Sequence, residues 1–216
     1  MTLKANFRGF TLVEILVALA VSGIVLSGIY STYQSQQRSY ILQDQIAQVQ
    51  QNLRAAMYLL TRELRLAGYD PSGSAGAGIV AGGWTNPSTS LRFTKDDNGN
   101  GDVADPGENL TYNLYPSGGI QKLGRKNPDQ NQPVAENIDV LWFVYLNANN
   151  LPAATIADVR SVEVTLVART ARPTVDFVNT MIYSNKSGTQ TWQFNDGYHR
   201  RVLSEQVNCR NLGLGT

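Results

Sequence analysis

The first long pattern along the chain is an apolar run over residues 10–29, interrupted by a single carboxylate at Glu14. As a helix, about twenty such residues at about 1.5 Å each are long enough to cross a hydrocarbon layer of about 30 Å. A polar leader with Lys4 and Arg8 precedes the run, and the next basic residue is Arg38. Because positive flanking charge stays in the cytoplasm, the pattern predicts a single membrane pass with the body of the chain on the other side.

Beyond residue 29 the pattern becomes amphipathic, with apolar residues at steps of three and four on one helix face. This stripe consists of Ile46, Val49, Leu53, Met57, Leu60, Leu64 and Ala67. No proline interrupts residues 10–67, and Gly68 with Pro71 beyond it is typical of a helix C-terminus. We therefore predict one helix over residues 10–67, whose stripe packs on a sheet of the same chain. A coiled-coil seam is the alternative.

Shorter runs rich in β-branched and aromatic residues follow, separated by polar and glycine-rich stretches. They predict strands over residues 90–94, 110–115, 119–123, 138–146, 159–168 and 199–209. Residues 72–87 are predicted as a loop and residues 134–137 as a helical turn, and no structure is assigned to residues 173–196. A long helix followed by antiparallel strands predicts the α+β class, with residues 68–216 as one β-rich globular domain.

Composition and charge exclude some functions. The 216 residues carry 18 basic and 17 acidic side chains, so there is no electrostatic reason to expect nucleic-acid binding. Cys209 is the single cysteine, which rules out an intramolecular disulfide. The single histidine, His199, lies ten residues away on the same predicted strand, a spacing that gives no Cys–His catalytic pair. We therefore expect no catalytic residues and a non-enzymatic protein.

Glu14 needs an explanation, because an isolated carboxylate in hydrocarbon costs on the order of several kcal/mol. Its neighbours on the same helix face are Thr11 and Ala18, and neither is basic. We therefore expect its partner to come from another chain. Two simpler interpretations leave Glu14 as a misplaced charge: an ordinary secretory signal cleaved after Ala20, and a plain uncleaved anchor.

The segment Gly9-Phe10-Thr11-Leu12-Val13-Glu14, followed by an apolar helix, resembles the class III signal of type IV prepilins and type II secretion pseudopilins. The resemblance implies that a prepilin peptidase removes the leader, residues 1–9, by cutting after Gly9 and then methylates the amine of Phe10. It also implies that Glu14 docks beside the Phe10 amine of a neighbouring subunit. Residues 10–29 would lie first in membrane lipid and later in a filament core.

Looser patterns in the body are similar to PilW-type minor pilins, namely residues 52–54, 64–70, 108–112, 198–202 and 210–212. The resemblance implies the pilin architecture and a minor pilin of a type IV pilus. Its partners would be other minor pilins, the major pilin and a tip adhesin in a priming or tip complex. The expected location is the inner membrane with a periplasmic domain, and then the pilus at the cell surface. The alternatives are a J-type pseudopilin of type II secretion and a singly anchored periplasmic enzyme or binding domain.

One oxygen-rich stretch, residues 96–102, resembles the first half of an EF-hand calcium loop. The candidate ligands are Asp96, Asn98, Asn100 and Asp102. The closing glutamate of an EF-hand would fall at Gly107, whereas Glu108 comes one residue late, and strands rather than helices flank the stretch. The sequence therefore predicts either a calcium site of another type or a solvated polar turn. We expect no other cofactor.

Overall fold

The structure, a computed structural model, describes residues 9–80, 85–127 and 130–213, so residues 1–8 of the predicted leader lie outside the described residues. The chain contains two compact units, Met1–Asp44 and Gln45–Thr216. One helix, α1, runs over Leu12–Leu64, and turns follow over residues 65–68. The helix ends three residues before the predicted boundary, where Gly68 adopts a φ of 79° and its N–H donates to the Thr94 carbonyl at 3.0 Å.

The first sheet of the C-terminal unit contains four antiparallel strands in the order β1-β2-β3-β4. Their bounds are Leu91–Thr94, Asn109–Ser117, Ile120–Asn127 and Gln130–Glu136. The prediction of a helical turn over residues 134–137 was wrong, since residues 134–136 belong to β4. Strand β4 lies at the sheet edge, where Pro133 is tolerated because its missing N–H leaves no internal ladder bond unmade.

The second sheet contains three antiparallel strands in the order β5-β6-β9. These are Ile138–Leu146, Ser161–Arg169 and Arg200–Asn208. Asn137, with a φ of 58°, is the one residue between β4 and β5, so the chain passes from one sheet to the other in a single step. A short 3₁₀ helix over Ile156–Asp158 precedes β6.

The predicted stripe on α1 lies in the core of this unit. Val49, Leu53, Met57, Leu60, Leu64 and Ala67 are buried, whereas Ile46 is half-buried. They form one cluster with inward-facing residues of both sheets, such as Phe93, Leu110, Leu123, Phe143 and Val164. The predicted α+β class is confirmed: a long N-terminal helix packs on antiparallel sheets. This outcome also favours the intrachain interpretation of the stripe over a coiled-coil seam.

The region left without an assigned structure, residues 173–196, contains a two-stranded hairpin. Its strands are β7, Tyr183–Ser184, and β8, Thr191–Trp192. The hairpin packs on the face of the second sheet that points away from α1, where Val140 and Val167 form a smaller cluster with Tyr183 and Trp192. Both faces of β6 are therefore covered, which accounts for its nearly complete burial.

Replacing Gly68 by alanine is expected to lower the free energy of unfolding by about 1–3 kcal/mol. A side chain is strained at this φ, and its Cβ would lie 2.7 Å from Leu212 Cδ2 and 3.2 Å from the Asn211 carbonyl oxygen. Gly73→Ala is the matched control, because its φ is 68° but nothing lies within 4 Å of the added Cβ. Urea unfolding of the full chain in detergent measures both variants, and equal losses would contradict the packing role of Gly68.

Candidate functional site

The N-terminal segment presents a continuous apolar surface. Every residue from 9 to 41 is exposed, and Phe10 is 84% exposed. By length and composition, the apolar part of α1 is sufficient to cross a membrane. Gly9 and Phe10 precede the helix as non-helical backbone, and nothing lies within 4 Å of a Cβ built on Gly9. The predicted cleavage position is therefore accessible in the described structure.

The Glu14 carboxylate accepts hydrogen bonds from Thr11 at the start of its own helix, whereas the expected cationic partner from another chain stays a prediction. Thr11 donates to Glu14 Oε2 from both its backbone N–H and its Oγ1 hydroxyl, each at 2.8 Å. The Glu14 N–H in turn donates to Thr11 Oγ1 at 3.3 Å. This reciprocal pattern is a capping box, which satisfies N–H groups that a helix N-terminus leaves without partners. Neither face neighbour of Glu14 is basic, as the sequence shows, so Thr11 supplies hydrogen bonds and no positive charge.

The two serine hydroxyls of the apolar segment donate to carbonyl groups of its own backbone. Ser22 donates to the Ala18 carbonyl at 2.7 Å, and Ser27 donates to the Ile24 carbonyl at 2.7 Å. Such back-bonding lets serine occupy a helix in hydrocarbon without leaving an unpaired donor. The segment therefore offers Glu14 as its one ionisable side chain between Phe10 and Ile29.

The predicted ligand Asp96 organises the loop between β1 and β2 instead of facing an open site. Its carboxylate is fully buried and accepts the N–H groups of Gly99 at 2.6 Å and Gly101 at 3.0 Å. The Ser72 hydroxyl also donates to Asp96 Oδ2, at 3.2 Å. These contacts occupy both carboxylate oxygens of Asp96, so its part in the loop is to hold the backbone turn.

A different set of carboxylates comes together at the other end of this loop. Asp102, Asp105 and Glu108 each place a carboxylate oxygen within 4.8 Å of the other two. Among the predicted ligands, Asp102 belongs to this group, whereas Asn98 and Asn100 contact it by donating to Asp105 Oδ2 at 2.7 and 2.8 Å. Sequence reasoning missed Asp105 as a group member and noticed Glu108 only as a displaced EF-hand residue.

A buried ion pair ties the end of α1 to the first sheet. Tyr112 Oη donates to Glu63 Oε2 at 2.6 Å, and Arg125 Nε donates to both Glu63 oxygens at 2.9 and 3.0 Å. Tyr112 and Arg125 are cross-strand partners on β2 and β3, so one carboxylate from the helix reaches both strands. Burial, and secondly the hydrogen bond to Glu63, raises the pKa of Tyr112, which keeps it a neutral donor.

A second network crosses the far end of the three-stranded sheet. Arg200 is 2% exposed; its Nε donates to Asp139 Oδ2 at 2.6 Å and its NH2 group to Asp196 Oδ2 at 2.7 Å. The guanidinium carbon also lies 3.8 Å from the centroid of the Phe194 ring. The hydrogen bond from Arg200 lowers the pKa of Asp196. In each network, one ion pair joins residues far apart in the sequence: Arg125 and Glu63 are 62 positions apart, and Arg200 and Asp139 are 61 positions apart. The sequence pattern does not predict that these residues meet.

His199 and Cys209 lie at opposite ends of β9, immediately before and immediately after it. A nine-residue strand separates them by roughly 30 Å. The His199 ring stacks on Phe177 at 3.8 Å between centroids, and burial followed by the charge of Arg201 lowers the pKa of His199. Cys209 is buried, and burial raises the pKa of its thiol to about 12. The two side chains therefore do not form a nucleophile and base pair.

Comparison with known proteins bears on the N-terminal segment. The family model of the prokaryotic N-terminal methylation motif matches residues 4–30, which include Gly9, Phe10 and Glu14. No curated protein matches the chain. Among solved structures, a type IV-like pilin from Thermus thermophilus is similar, with a TM-score of 0.49 and 17% sequence identity; the match covers 76% of this chain and 98% of that chain.

The resemblance to the pilin and pseudopilin superfamily that the sequence predicts is thus confirmed at the N-terminal motif, whereas the PilW subtype stays a prediction. The matched residues include the exposed Gly9 and the capped start of the apolar helix. Residues 4–30 of this chain therefore carry the N-terminal methylation motif of prokaryotic pilins.

Proposed function

We propose that the chain is a minor pilin of a type IV pilus, which takes part in pilus assembly in a priming or tip complex. The observation that carries the proposal is the methylation motif at residues 4–30, at the start of an exposed apolar helix. Prepilin peptidase cuts after Gly9 and methylates Phe10. The mature helix then anchors the chain in the inner membrane, with residues 68–216 in the periplasm, until the subunit enters the filament at the cell surface.

Assembly follows from the apolar surface of residues 9–41. An exposed apolar surface of this extent requires a cover, which membrane lipid provides before assembly and neighbouring helices provide after it. Major and minor pilins supply such helices. The apolar stripe of α1 is already buried against the sheets of the globular domain. The outer surface of that domain is therefore what contacts other minor pilins and a tip adhesin.

Docking rests on the charge of Glu14. Its two hydrogen bonds from Thr11 satisfy the geometry of one carboxylate oxygen but supply no positive charge. The methylated amine of Phe10 on a neighbouring subunit supplies that charge in the low dielectric of the filament core. Docking therefore adds a cation to a carboxylate that its own helix has already oriented.

A J-type pseudopilin of type II secretion is the second candidate, because the same N-terminal motif and a similar helix end, residues 64–70, serve both systems. A non-enzymatic role is supported by the separation of His199 and Cys209 on the two ends of β9. Recovery of the chain in sheared pili, rather than in a secretion complex, decides between the two assemblies.

Mass spectrometry of the mature chain tests the proposal. We expect the first residue to be N-methylated Phe10, with residues 1–9 absent, because Gly9 is exposed before the helix and leaves the cleavage position open. A chain that begins at Val21 indicates an ordinary secretory signal, and a chain that retains Met1 indicates an uncleaved anchor. Either result would overturn the pilin assignment.

A further inference from the structure

We propose that Asp102, Asp105 and Glu108 form a calcium site in the loop between β1 and β2. The proposal does not rest on the function as a pilin. Three carboxylate groups, each with an oxygen within 4.8 Å of the other two, repel one another in the absence of a cation. The group differs from the pattern that the sequence suggests, because Asp96 is occupied by backbone N–H groups and Glu108 takes its place as the buried carboxylate.

A buried, unpaired carboxylate oxygen on Glu108 is a second reason to expect a cation here. It is 2% exposed, and its Oε1 accepts the backbone N–H of Asp97 at 2.8 Å. Its Oε2 is buried and has no hydrogen-bond partner among the described residues. A buried carboxylate oxygen without a partner carries a desolvation cost, and a bound cation removes that cost. Glu108 is therefore the ligand that the local structure leaves ready for a metal.

The loop offers this group no cationic side chain. Lys95 is the basic residue next to it, but its Nζ pairs with Asp97 Oδ2 at 2.9 Å. Among the described residues, no ion pair involves Asp102, Asp105 or Glu108. The contacts to Asp105 come from two neutral amides, Asn98 and Asn100. The negative charge of the group is thus left for an external ion.

The chemistry of the donors selects calcium. All three ligands are carboxylate oxygens, which hard divalent cations prefer, and the loop supplies no sulfur or imidazole. Calcium accepts six to eight oxygens in irregular geometry and completes its shell with water, whereas magnesium demands a near-ideal octahedron. A loop built on turns with glycines at positive φ, as at Gly99 and Gly101, fits the less demanding ion.

Binding would fasten the connection between two neighbouring strands. The base of the loop is already closed, since the Lys95 N–H donates to the Glu108 carbonyl at 2.9 Å. Asp102 and Asp105 lie further out in the same loop, and both are less buried than Glu108. An ion that joins them to Glu108 therefore links the outer part of the loop to its closed base.

Isothermal titration of the full chain in detergent, after treatment with a chelator, tests the proposal. We expect one calcium ion to bind per chain, and the melting temperature to rise by roughly 5–10 °C at a calcium concentration a hundredfold above Kd. Magnesium at the same concentration should produce a smaller rise. No calcium binding by the unmodified chain overturns the proposal, and an equal response to magnesium overturns the assignment to calcium.

Matched variants locate the site. Asp105→Asn and Glu108→Gln keep the size of these side chains but remove the charge and replace one carboxylate oxygen by an NH2 group, so we expect each to weaken calcium binding at least tenfold. Asp97→Asn is the control: it removes a carboxylate from the same loop, but one that pairs with Lys95 outside the group. Its calcium affinity should match that of the unmodified chain. Unchanged binding in both Asp105→Asn and Glu108→Gln would overturn the proposed site, whatever the result for Asp97→Asn.

Discussion

Replacing Glu63 by alanine is expected to lower the free energy of unfolding by about 3–5 kcal/mol. The substitution leaves the Arg125 guanidinium without its only described ion-pair partner, in a position where the side chain is 16% exposed. It also leaves the buried Tyr112 hydroxyl without its acceptor. Removing one member of a buried pair costs more than the pair itself contributes, because the desolvated charge that remains is uncompensated. Chemical unfolding of the full chain in detergent, followed by tryptophan fluorescence, measures the loss.

Two further variants separate this effect from a general effect of charge on the sheet. Glu136→Ala removes the partner of Lys122 on the same sheet, but Glu136 is half exposed, so the expected loss is about 0–1 kcal/mol. The double variant Glu63→Met with Arg125→Met replaces the pair by apolar side chains of similar length. It should recover the part of the stability that the unpaired Arg125 costs in Glu63→Ala, whereas the Tyr112 hydroxyl still lacks its acceptor. If Glu63→Ala and Glu136→Ala lose the same amount, the Glu63 network does not hold the helix end on the sheet.

Replacing Glu14 by glutamine is expected to lower recovery of the chain in sheared filaments by roughly tenfold or more. Glutamine retains the capping box, because it accepts the Thr11 N–H as glutamate does. It removes the charge that pairs with the Phe10 amine of a neighbour, and loss of one partner of a buried interfacial pair costs about 2–5 kcal/mol. Cleavage after Gly9 should be unchanged. Quantitative immunoblots of the membrane and filament fractions measure the ratio.

Thr11→Ala is the complementary control for this experiment. It removes the hydroxyl that bonds Glu14 in both directions but keeps the carboxylate charge. The expected cost is about 0.5–2 kcal/mol at the helix N-terminus, with recovery in filaments close to normal. If recovery in filaments falls for Thr11→Ala but not for Glu14→Gln, docking depends on the capping of the helix and not on the charge of Glu14.

Local periodicity explains why much of the fold could be predicted. The stripe from Val49 to Ala67 repeats with the period of a helix, and Ile138 to Leu146 is apolar enough to be a buried strand on its own. Strand β4 was missed because the polar stretch that ends in Pro133 lacks the β-branched residues that mark strands. An edge strand is defined by the neighbour with which it pairs, and that information lies in β3 rather than in β4 itself.

The candidate sites differ in the same way: a local sequence pattern could be predicted, whereas contacts between distant residues could not. The N-terminal signal is short and continuous, so its spacing could be read directly, and Glu14 was identified together with Gly9 and Phe10. Its capping bond to Thr11 follows from the same local spacing and could have been predicted. In contrast, the cross-strand position of Tyr112 and Arg125 beneath Glu63 depends on strand register. Register is set by the packing of the whole sheet, which a single sequence does not specify.

The order of strands in the second sheet has a consequence for folding during synthesis. Strand β6 pairs with β5 as soon as both have emerged, but its other edge is closed by β9, and residues 170–199 lie between them. At about 5–20 residues per second, synthesis of these residues alone keeps that edge open for roughly 2–6 seconds. An open edge on a strand this apolar is a template for pairing with another chain. During this period, the open edge of β6 in one nascent chain can pair with the same strand of another copy, so correct folding requires that nascent copies stay apart.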